Sequence, residues 1–470
     1  MNILVLNGSP AGANSITLQT VEYWKVFYPQ HNWEILPVGQ RIRSMEKDFS
    51  DSKAALGAAD LILFSYPVYT FLVPAQLHRF IELIKENGVD LKGKYAAQLT
   101  TSKHFYDVTA HRFIEDNCRD LGLHYLHGLS ADMEDLLTKQ GRREALQFFR
   151  FLLWSLDNGF SQMTAPVPAG RYEPLLAKPG NPAVKKDRFR VALVTDYDPA
   201  APNPSLLAMI RRFENRFPAA CEEVNLHEFP FSGGCLGCFH CASDGQCIYK
   251  DGFDTYLREH INGADAVVYA YTVRDHSMGS VFKTYDDRQF CNGHRTVTMG
   301  KPVGYLVSGN LAAEENLKIL MEARAQVGGN FLAGVANDAA NPDEAVDQLI
   351  RTLVYALRHG YQEPKNFYGV GGLKIFRDLI YQMQGLMRED HRFYKAHGFY
   401  RDFPQKHKGR IAGMYLVGSL MKNRKLQKKM KFSMTDGMMM AYRQVIEKAK
   451  KEAAALAAVK NNKNGEKNHA

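Results

Sequence analysis

Apolar runs and helical patterns alternate along the first 160 residues of the chain. "NILVLN", "DLILFS" and "YAAQLTT" are short and almost uninterrupted apolar runs, which is the pattern of strands buried on both faces. Amphipathic stretches near residues 14–27, 74–87, 108–121 and 133–158 have the spacing of helices. Because strand–helix alternation connects parallel strands, the pattern predicts an α/β domain whose doubly wound sheet is covered by helices on both faces.

The same order recurs after a proline-rich segment. Five prolines and no hydrophobic period mark residues 164–190 as a linker region. Beyond it, "FRVALVTD", "ADAVVYAYTV", "KPVGYLVSG" and "NFLAGVA" are again strand-like. "AADLILFSYPVY" in the first half matches "GADAVVYAYTVR" in the second, and "LKGKYAAQLTTS" matches "TMGKPVGYLVSG". The sequence therefore predicts a duplicated domain of about 170 residues.

These patterns divide the chain into four parts. We predict a first domain over residues 1–163, a linker over 164–188, a second domain over 189–361, and a basic, mainly helical extension over 362–470 with a disordered tail. From Lys365 onward there are 23 Lys and Arg against 8 Asp and Glu, a net charge of +15. Since the whole chain carries +9, the remainder carries −6 and is mildly acidic.

Composition indicates a globular chain in a reducing compartment. Apolar residues make up 45% and charged residues 23% of the chain. The start "MNILVLNGSP" lacks the basic residues and the cleavage site of a signal peptide, and no run reaches about 18 apolar residues. We therefore expect a cytoplasmic protein, in which clustered cysteines indicate metal or redox chemistry more than disulfides.

The loop after the first strand offers donors for an anion. In "LNGSPAGANSITLQ", Gly8 permits a tight turn, and short polar side chains lie where the N–H groups of the next helix converge: Ser9, Asn14, Ser15 and Thr17. The loop has neither the G-K-[ST] of a P-loop nor the G-x-G-x-x-G of a dinucleotide fold. A phosphate site and a plain strand–helix turn both remain open at this point.

Two further loops follow predicted strands and therefore lie at the same sheet edge. "SYPVYTFLVP" supplies flat apolar surface from Val68, Tyr69 and Phe71. "TTSKH" supplies polar groups from Thr100, Thr101, Ser102 and His104, although His104 could instead cap its own loop. A phosphate loop, an aromatic wall and polar edge contacts together suit a flat heterocycle with one phosphate.

The order of these motifs resembles a known family. G-S-P followed by N-S-x-T, then P-V-Y and then T-T-S, resembles the flavodoxin-like NAD(P)H-dependent FMN and quinone reductases over roughly residues 1–340. The resemblance implies a flavodoxin-like fold in both halves, FMN as cofactor, and NAD(P)H oxidation with a quinone, flavin, azo or nitro compound as acceptor. It implies phosphate contacts from Ser9, Asn14, Ser15 and Thr17, and isoalloxazine contacts from Pro67, Val68, Tyr69, Thr70, Thr100, Thr101, Ser102 and His104. No catalytic side chain is assigned.

The corresponding loops of the second half differ in charge. "TDYDPAAPNPS" places Asp196 and Asp198 where the first half has its G-S-P loop, and Thr272 and Arg274 replace the Pro and Tyr of P-V-Y. Two like charges about 4 Å apart repel by roughly 4 kcal/mol at an effective dielectric constant of 20. We therefore expect the second half to keep the fold without binding FMN.

The second half instead carries a cysteine loop. Cys235, Cys238, Cys241 and Cys247 have the spacing C-x2-C-x2-C-x5-C, which resembles the cysteine loop of the same family and of the iron–sulfur flavoproteins. A [4Fe–4S] cluster, metal-free thiols and zinc are the alternatives, although structural zinc usually joins two more widely separated knuckles. The three remaining cysteines are isolated, and we expect them to pack as small apolar residues: Cys118, Cys221 and Cys291.

The extension combines an apolar run with a basic run. "GRIAGMYLVGSLMKNRKLQKKMKF" holds six positive charges within Lys422–Lys431. It could cover the domains, bind an acidic redox partner, attach peripherally to an anionic membrane surface, or form a solvated helical surface. No nucleic-acid-binding module is recognisable. Two assemblies remain alternatives, a homodimer and an internal pseudo-dimer of the two halves. Three classes of function also remain: an enzyme, a non-enzymatic electron carrier or redox sensor, and a structural protein.

Overall fold

The computed structural model describes residues 1–161, 172–401, 408–422 and 434–467. The chain divides into two compact units, Met1–Pro166 with Leu236–Cys238 and Arg424–Ala470, and Val167–Cys235 with Phe239–Asn423. The basic extension predicted over 362–470 is thus shared between the two units. Among the described residues, no helix has both the length and the apolar character that crossing a bilayer requires.

The first unit contains a five-stranded parallel sheet. Its strand order is β2-β1-β3-β4-β5. The three inner strands are buried almost throughout because they carry apolar residues on both faces, whereas the edge strand β2 is half-exposed. The strands are β1 (Asn2–Asn7), β2 (Asn32–Leu36), β3 (Leu61–Pro67), β4 (Tyr95–Ser102) and β5 (His124–Asp132).

Helices cover both faces of this sheet. Helix α1 begins after a 3-10 turn at Gly12–Asn14, and a second 3-10 turn at Asp135–Leu137 precedes α6. The predicted helices near 14–27, 74–87, 108–121 and 133–158 are confirmed, with the last one beginning later than predicted. The helices are α1 (Ile16–Phe27), α2 (Val38–Met45), α3 (Ser50–Ala58), α4 (Ala75–Glu86), α5 (Asp107–Asp120) and α6 (Lys139–Asp157).

The second unit repeats the topology of the first. Its parallel sheet has the order β7-β6-β8-β9-β10, which corresponds strand for strand to the first. The prediction of two tandem doubly wound sheets is confirmed. The strands are β6 (Arg190–Thr195), β7 (Ala220–Asn225), β8 (Ala266–Thr272), β9 (Pro302–Ser308) and β10 (Phe331–Asn337).

Helices of the second unit include those of the extension up to residue 422. A π-helical turn at Leu257–Asn262 follows α9. The helices are α7 (Pro204–Arg216), α8 (His240–Asp244), α9 (Phe253–Tyr256), α10 (Gly279–Arg288), α11 (Glu315–Gly328), α12 (Pro342–His359), α13 (Phe367–Gln382), α14 (Arg388–Ala396) and α15 (Lys408–Met421). Ala242 of α8 shares a small apolar cluster with Ile380 of α13 and Tyr394 of α14, so these extension helices cover the short cysteine-bearing helix.

The last described helix, α16 (Met434–Lys467), belongs to the first unit. Met439, Tyr442, Ile446 and Ala449 recur at helical spacing, and they are buried in the same core as β1, α1 and α6. Helix α16 also contacts the 3-10 turn before α1. It continues through Lys467 into the segment predicted as a disordered tail, and residues 468–470 lie outside the described residues.

Candidate functional site

The three loops predicted to bind a flavin meet at one edge of the first sheet. They follow β1, β3 and β4, whose carboxyl ends lie side by side because the strands are parallel. Two backbone hydrogen bonds join them: the Gly8 N–H donates to the Ser65 carbonyl at 2.9 Å, and the Val68 N–H donates to the Thr101 carbonyl at 3.1 Å. The fold therefore brings the predicted residues of the three loops into one region.

The loop after β1 is held in shape by its own polar groups. The Ser9 hydroxyl accepts from the Ala11 N–H at 3.3 Å, and the Asn7 side-chain amide donates to the Gly12 carbonyl at 2.9 Å. Gly12 has φ +59°, a backbone conformation that favours glycine. A side chain at this position would also overlap Gln40. The loop's own hydrogen bonds and the conformation of Gly12 therefore fix its shape.

The start of α1 presents donors and no acid. Ser15 is the N-cap, and its hydroxyl accepts from the Leu18 N–H at 3.4 Å. The Thr17 and Thr101 hydroxyls lie 2.6 Å apart, so this loop is bonded to the end of β4. Asn14, just before the N-cap, is half-buried. Residues 1–21 contain no Asp or Glu, so the positive end of the helix dipole is not neutralised by an acid from this segment.

The loop after β3 contains a strained tight turn. The N–H groups and carbonyls of Tyr69 and Leu72 exchange hydrogen bonds at 2.8 and 3.0 Å, while Thr70 and Phe71 between them have φ values of 45° and 70°. Such a turn normally contains Asn-Gly, because non-glycine residues are strained at positive φ. The turn fixes the direction of the half-buried residues predicted to line the ring: Pro67, Val68, Tyr69 and Thr70.

The end of β4 directs its two threonines to different partners. Thr101 pairs with Thr17, whereas the Thr100 hydroxyl lies 3.0 Å from Nε2 of His111. Burial lowers the pKa of His111 to about 4, so this imidazole is neutral at physiological pH. The buried Ser102 hydroxyl has no hydrogen-bond partner among the described residues. Thr101 and Ser102 are therefore better placed than Thr100 to form the predicted polar edge of the site.

His104 lies in a small polar cluster that the sequence did not indicate. Its backbone has φ 51°, and its Nδ1 lies 3.1 Å from the Ser130 hydroxyl, which in turn donates to the Asp107 carboxylate. The side chain is 53% exposed, so it remains accessible from solvent. Ser130 belongs to the edge strand β5, whose mixed polarity gave no strand signal in the sequence.

The first edge fits a flavin mononucleotide by the chemistry of its donors. Helix-start N–H groups and short hydroxyls suit a phosphate, and the Ser102 hydroxyl offers a buried polar group that has no partner among the described residues. Half-buried Val68 and Tyr69 supply apolar surface next to these groups.

The equivalent edge of the second unit keeps the backbone and changes the side chains. The Asp196 N–H donates to the Ala270 carbonyl at 3.3 Å, as Gly8 does in the first unit. Arg274 and Ser277 exchange hydrogen bonds at 2.8 Å around Asp275 and His276, which have φ values of 50° and 62°. This repeats the strained turn of the first unit at the same topological position. The two edges are therefore copies of one architecture.

Four side chains at the ends of the second unit's strands are joined to one another by hydrogen bonds. The Asn203 side-chain amide donates to the hydroxyls of Thr272 and Ser308, at 2.9 Å each, while also capping α7. The buried Asp338 carboxylate accepts from the Ser308 hydroxyl at 2.6 Å and from the Tyr172 hydroxyl at 2.8 Å. This network fills the strand ends with protein groups.

In the loop before α7, an aspartate accepts hydrogen bonds from backbone N–H groups of the same loop. The Asp198 carboxylate accepts from the Ala200 N–H at 2.8 Å, and the Asp198 carbonyl accepts from Ala201 at 3.2 Å. Asp196, two residues earlier in the chain, is buried. The Ala200 and Ala201 N–H groups are therefore engaged by Asp198, and the Asp198 carboxylate would repel a phosphate anion.

The cysteine loop lies between β7 and α9. All four predicted ligands are half-buried, and Cys241 in α8 donates its thiol hydrogen to the Phe290 carbonyl at 2.9 Å. Cys238 lies in the short segment grouped with the first unit. In the described part of the chain, the sulfurs of the other three, Cys235, Cys241 and Cys247, do not all lie within 4.8 Å of one another.

A buried ion pair anchors the segments on either side of these cysteines. Arg288 donates to both oxygens of Asp251 at 2.7 and 2.8 Å and to the Gly233 carbonyl at 2.9 Å, with its guanidinium 4.4 Å from the centre of the Tyr249 ring. Burial alone would raise the pKa of Asp251, but the hydrogen bonds and charge of Arg288 outweigh it and bring the pKa to about 2.

The three isolated cysteines lie away from this loop in the sequence. Cys118 and Cys291 are fully buried and Cys221 is half-buried.

Residues 1–132 match the family model of the flavodoxin-like fold. An iron–sulfur flavoprotein from Archaeoglobus fulgidus is 26% identical over 174 residues, which cover 35% of this chain and 79% of that protein. The solved NAD(P)H:quinone oxidoreductase from Methanothermobacter marburgensis is similar to 33% of the chain over 96% of its own length, with 14% identity and a TM-score of 0.27. An FMN-dependent NADH-azoreductase from Bacillus anthracis gives 12% identity and a TM-score of 0.26, covering 32% of this chain and 98% of that protein.

Proposed function

We propose that the protein is an FMN-dependent oxidoreductase that oxidises NADH or NADPH and reduces a small acceptor such as a quinone, flavin, azo or nitro compound. The proposal is carried by the loop at the start of α1, which contains no acid and contrasts with the loop at the equivalent edge, which carries Asp196 and Asp198. The match of residues 1–132 to the flavodoxin-like fold supports it. FMN, when bound, supplies an acceptor for hydride and a donor of one or two electrons.

The chain's own residues bind and orient the cofactor in this proposal. Ser9, Asn14, Ser15 and Thr17 hold the phosphate together with the first N–H groups of α1, so no lysine is needed. The strained turn at Tyr69–Leu72 presents Val68 and Tyr69 to one side of the ring. Thr101 and Ser102 bind its polar edge, and the exposed His104 lies beside them, oriented by Ser130 and Asp107.

The first experiment measures flavin content and turnover in the same preparation. We expect the purified full-length chain to release about one FMN on heating and to oxidise NADH or NADPH when a small quinone is present. Asn14→Asp, which places a carboxylate in the phosphate loop, should lose the flavin. A colourless chain that binds no added FMN would contradict the proposal.

A second candidate function is that of an electron carrier containing an iron–sulfur cluster. Four cysteines within 13 residues and the 26% identity to a protein named as an iron–sulfur flavoprotein favour it. In that case the protein would be reduced by a partner protein and would show little turnover with small acceptors.

Iron and sulfide analysis of anaerobically purified protein tests this candidate. The double variant Cys238→Ser with Cys241→Ser should lose the iron, while Cys221→Ser serves as the matched control outside the loop. Serine at 241 can still donate to the Phe290 carbonyl, so the local hydrogen bond is kept. Iron content unchanged in the double variant would exclude these cysteines as ligands.

A further inference from the structure

Helix α15 exposes four of its large apolar side chains and buries a glycine. Leu416, Leu420, Tyr415 and Val417 are 66%, 48%, 43% and 37% exposed, while Gly418 between them is buried. A helix on the surface of a globular domain normally directs its apolar residues to the core and its polar residues to water. Residues 415–420 of α15 show the reverse arrangement.

The attachment of α15 explains this reversal. Gly418 lies so close to the residues that link α13 and α14 that a Cβ on it would overlap the Gly385 carbonyl oxygen. The Tyr415 hydroxyl donates to the Gln384 side chain at 3.0 Å, and Arg388 donates to the Ser419 hydroxyl at 3.3 Å. A glycine contact and polar bonds therefore fix the inner face, which leaves the bulky apolar residues outside.

The charged residues of α15 and the charged residue just after it have one sign. The described residues 408–422 contain three Lys and Arg and no Asp or Glu, while the rest of the basic run, up to Lys431, lies outside the described residues. Lys408 and Arg410 at the start of α15 and Lys422 just after its end are all exposed, so cations bracket the apolar surface. An apolar face flanked by cations is the composition of a helix that lies in a membrane interface, where anionic headgroups and acyl chains meet.

We propose that α15 binds the surface of an anionic phospholipid membrane, with Leu416 and Leu420 at the acyl boundary and the flanking cations at the lipid phosphates. At 14 residues, α15 is about 21 Å long and would lie along the surface. A second copy of the chain would place these cations against their own counterparts, and a nucleic acid would leave the two leucines without apolar contacts. The membrane surface satisfies both the apolar and the charged groups, and the inference does not depend on the proposed activity.

Vesicle binding of the full-length chain tests the proposal. We expect co-sedimentation with phosphatidylcholine vesicles that contain about 30 mol% phosphatidylglycerol, and at least about tenfold weaker binding to pure phosphatidylcholine. Raising the salt to about 0.5 M should release most of the protein because it screens the cations. Leu416→Ser with Leu420→Ser should weaken binding by about tenfold or more, since two apolar side chains no longer enter the acyl boundary.

The matched control is Val184→Ser, which removes a 68% exposed apolar side chain elsewhere in the same unit. It should bind vesicles like the parent chain. Because all the substituted residues are exposed, the variants should keep the parent melting temperature. Equal binding by the leucine double variant, or equal binding to charged and neutral vesicles, would overturn the proposal.

A tryptophan probe reports the depth of insertion. In Leu416→Trp, the emission should shift to the blue on addition of phosphatidylglycerol vesicles and should be quenched by brominated acyl chains. Self-association that the leucine double variant abolishes, without any vesicle-dependent shift, would assign this face to a second copy and contradict the membrane proposal. Binding to an acidic protein without vesicle binding would contradict it equally.

Discussion

The two strand edges share one backbone plan and differ in what satisfies their polar groups. In both units the residue after the first strand donates to the third strand, and a tight turn with two positive φ values follows that strand. In the first unit the Ser102 hydroxyl has no partner among the described residues. In the second unit Asn203, Ser308 and Asp338 bond one another. The two edges thus differ in which of their polar groups are bonded to other groups of the protein.

The largest expected effect comes from giving the first edge the charge of the second. Asn14→Asp adds a carboxylate in the phosphate loop with almost no change in size, and like-charge repulsion should weaken FMN binding by at least about 100-fold. Flavin fluorescence titration measures the dissociation constant. The control Asn158→Asp changes an exposed residue beyond the end of α6 and should bind FMN normally. If the two variants bind equally well, the phosphate does not lie near Asn14.

Acid should weaken the internally stabilised second unit. The pKa of Asp251 is about 2 in the folded protein, below the value of about 3.9 in an unfolded chain, so its stabilising contribution is complete above about pH 5 and is lost as the pH falls towards 2. Urea unfolding followed by circular dichroism measures this. Asp251→Asn should be less stable at neutral pH and should lose less stability between pH 4 and pH 2. An identical pH dependence in both chains would contradict this assignment.

Removing the central acid of the second edge should affect stability and leave flavin binding intact. Asp338→Ala leaves the Ser308 and Tyr172 hydroxyls without their acceptor, which should cost about 2 kcal/mol. The chain's three tryptophans belong to the first unit: Trp24, Trp33 and Trp154. Circular dichroism should therefore show the second unit unfolding at lower denaturant concentration, and tryptophan emission should not report this early transition. A lowered FMN affinity in this variant would mean that the second edge takes part in binding.

The smallest expected effect distinguishes two neighbouring threonines. Thr101→Val removes the hydroxyl that meets Thr17, and FMN affinity should fall about tenfold, which corresponds to about 1.4 kcal/mol. Thr100→Val is the matched control, because its hydroxyl pairs with His111 instead. Its FMN affinity should change by less than about twofold. Equal losses in both variants would place Thr100 in the site as well.

Much of the fold could be predicted because its inner strands are continuous apolar runs. The strands β1, β3 and β4 and their counterparts β6, β8 and β9 needed no other signal. The edge strands β2, β5 and β7 are half-exposed and mixed in polarity, so Ser130 beside His104 could not be found. The docking of α16 on the first unit was also hidden, because a basic run precedes it in the sequence.

The candidate site was only partly predictable for a related reason. Loop residues that follow inner strands could be placed at one edge from the topology alone. The partners of Asp338, Tyr172 and Thr272, however, come from segments up to 166 residues apart. The strained turn at Thr70 and Phe71 lacks the Asn or Gly that normally marks such a turn. Its repetition at Asp275 and His276 becomes visible only when the two units are compared.

A crystal structure of the full-length chain with FMN tests the central claim most directly. The account predicts the flavin phosphate within hydrogen-bonding distance of Ser9, Ser15 and Thr17, with no flavin at the loop that contains Asp196 and Asp198. A phosphate bound at Asp196 and Asp198, with no ligand at the start of α1, would contradict it.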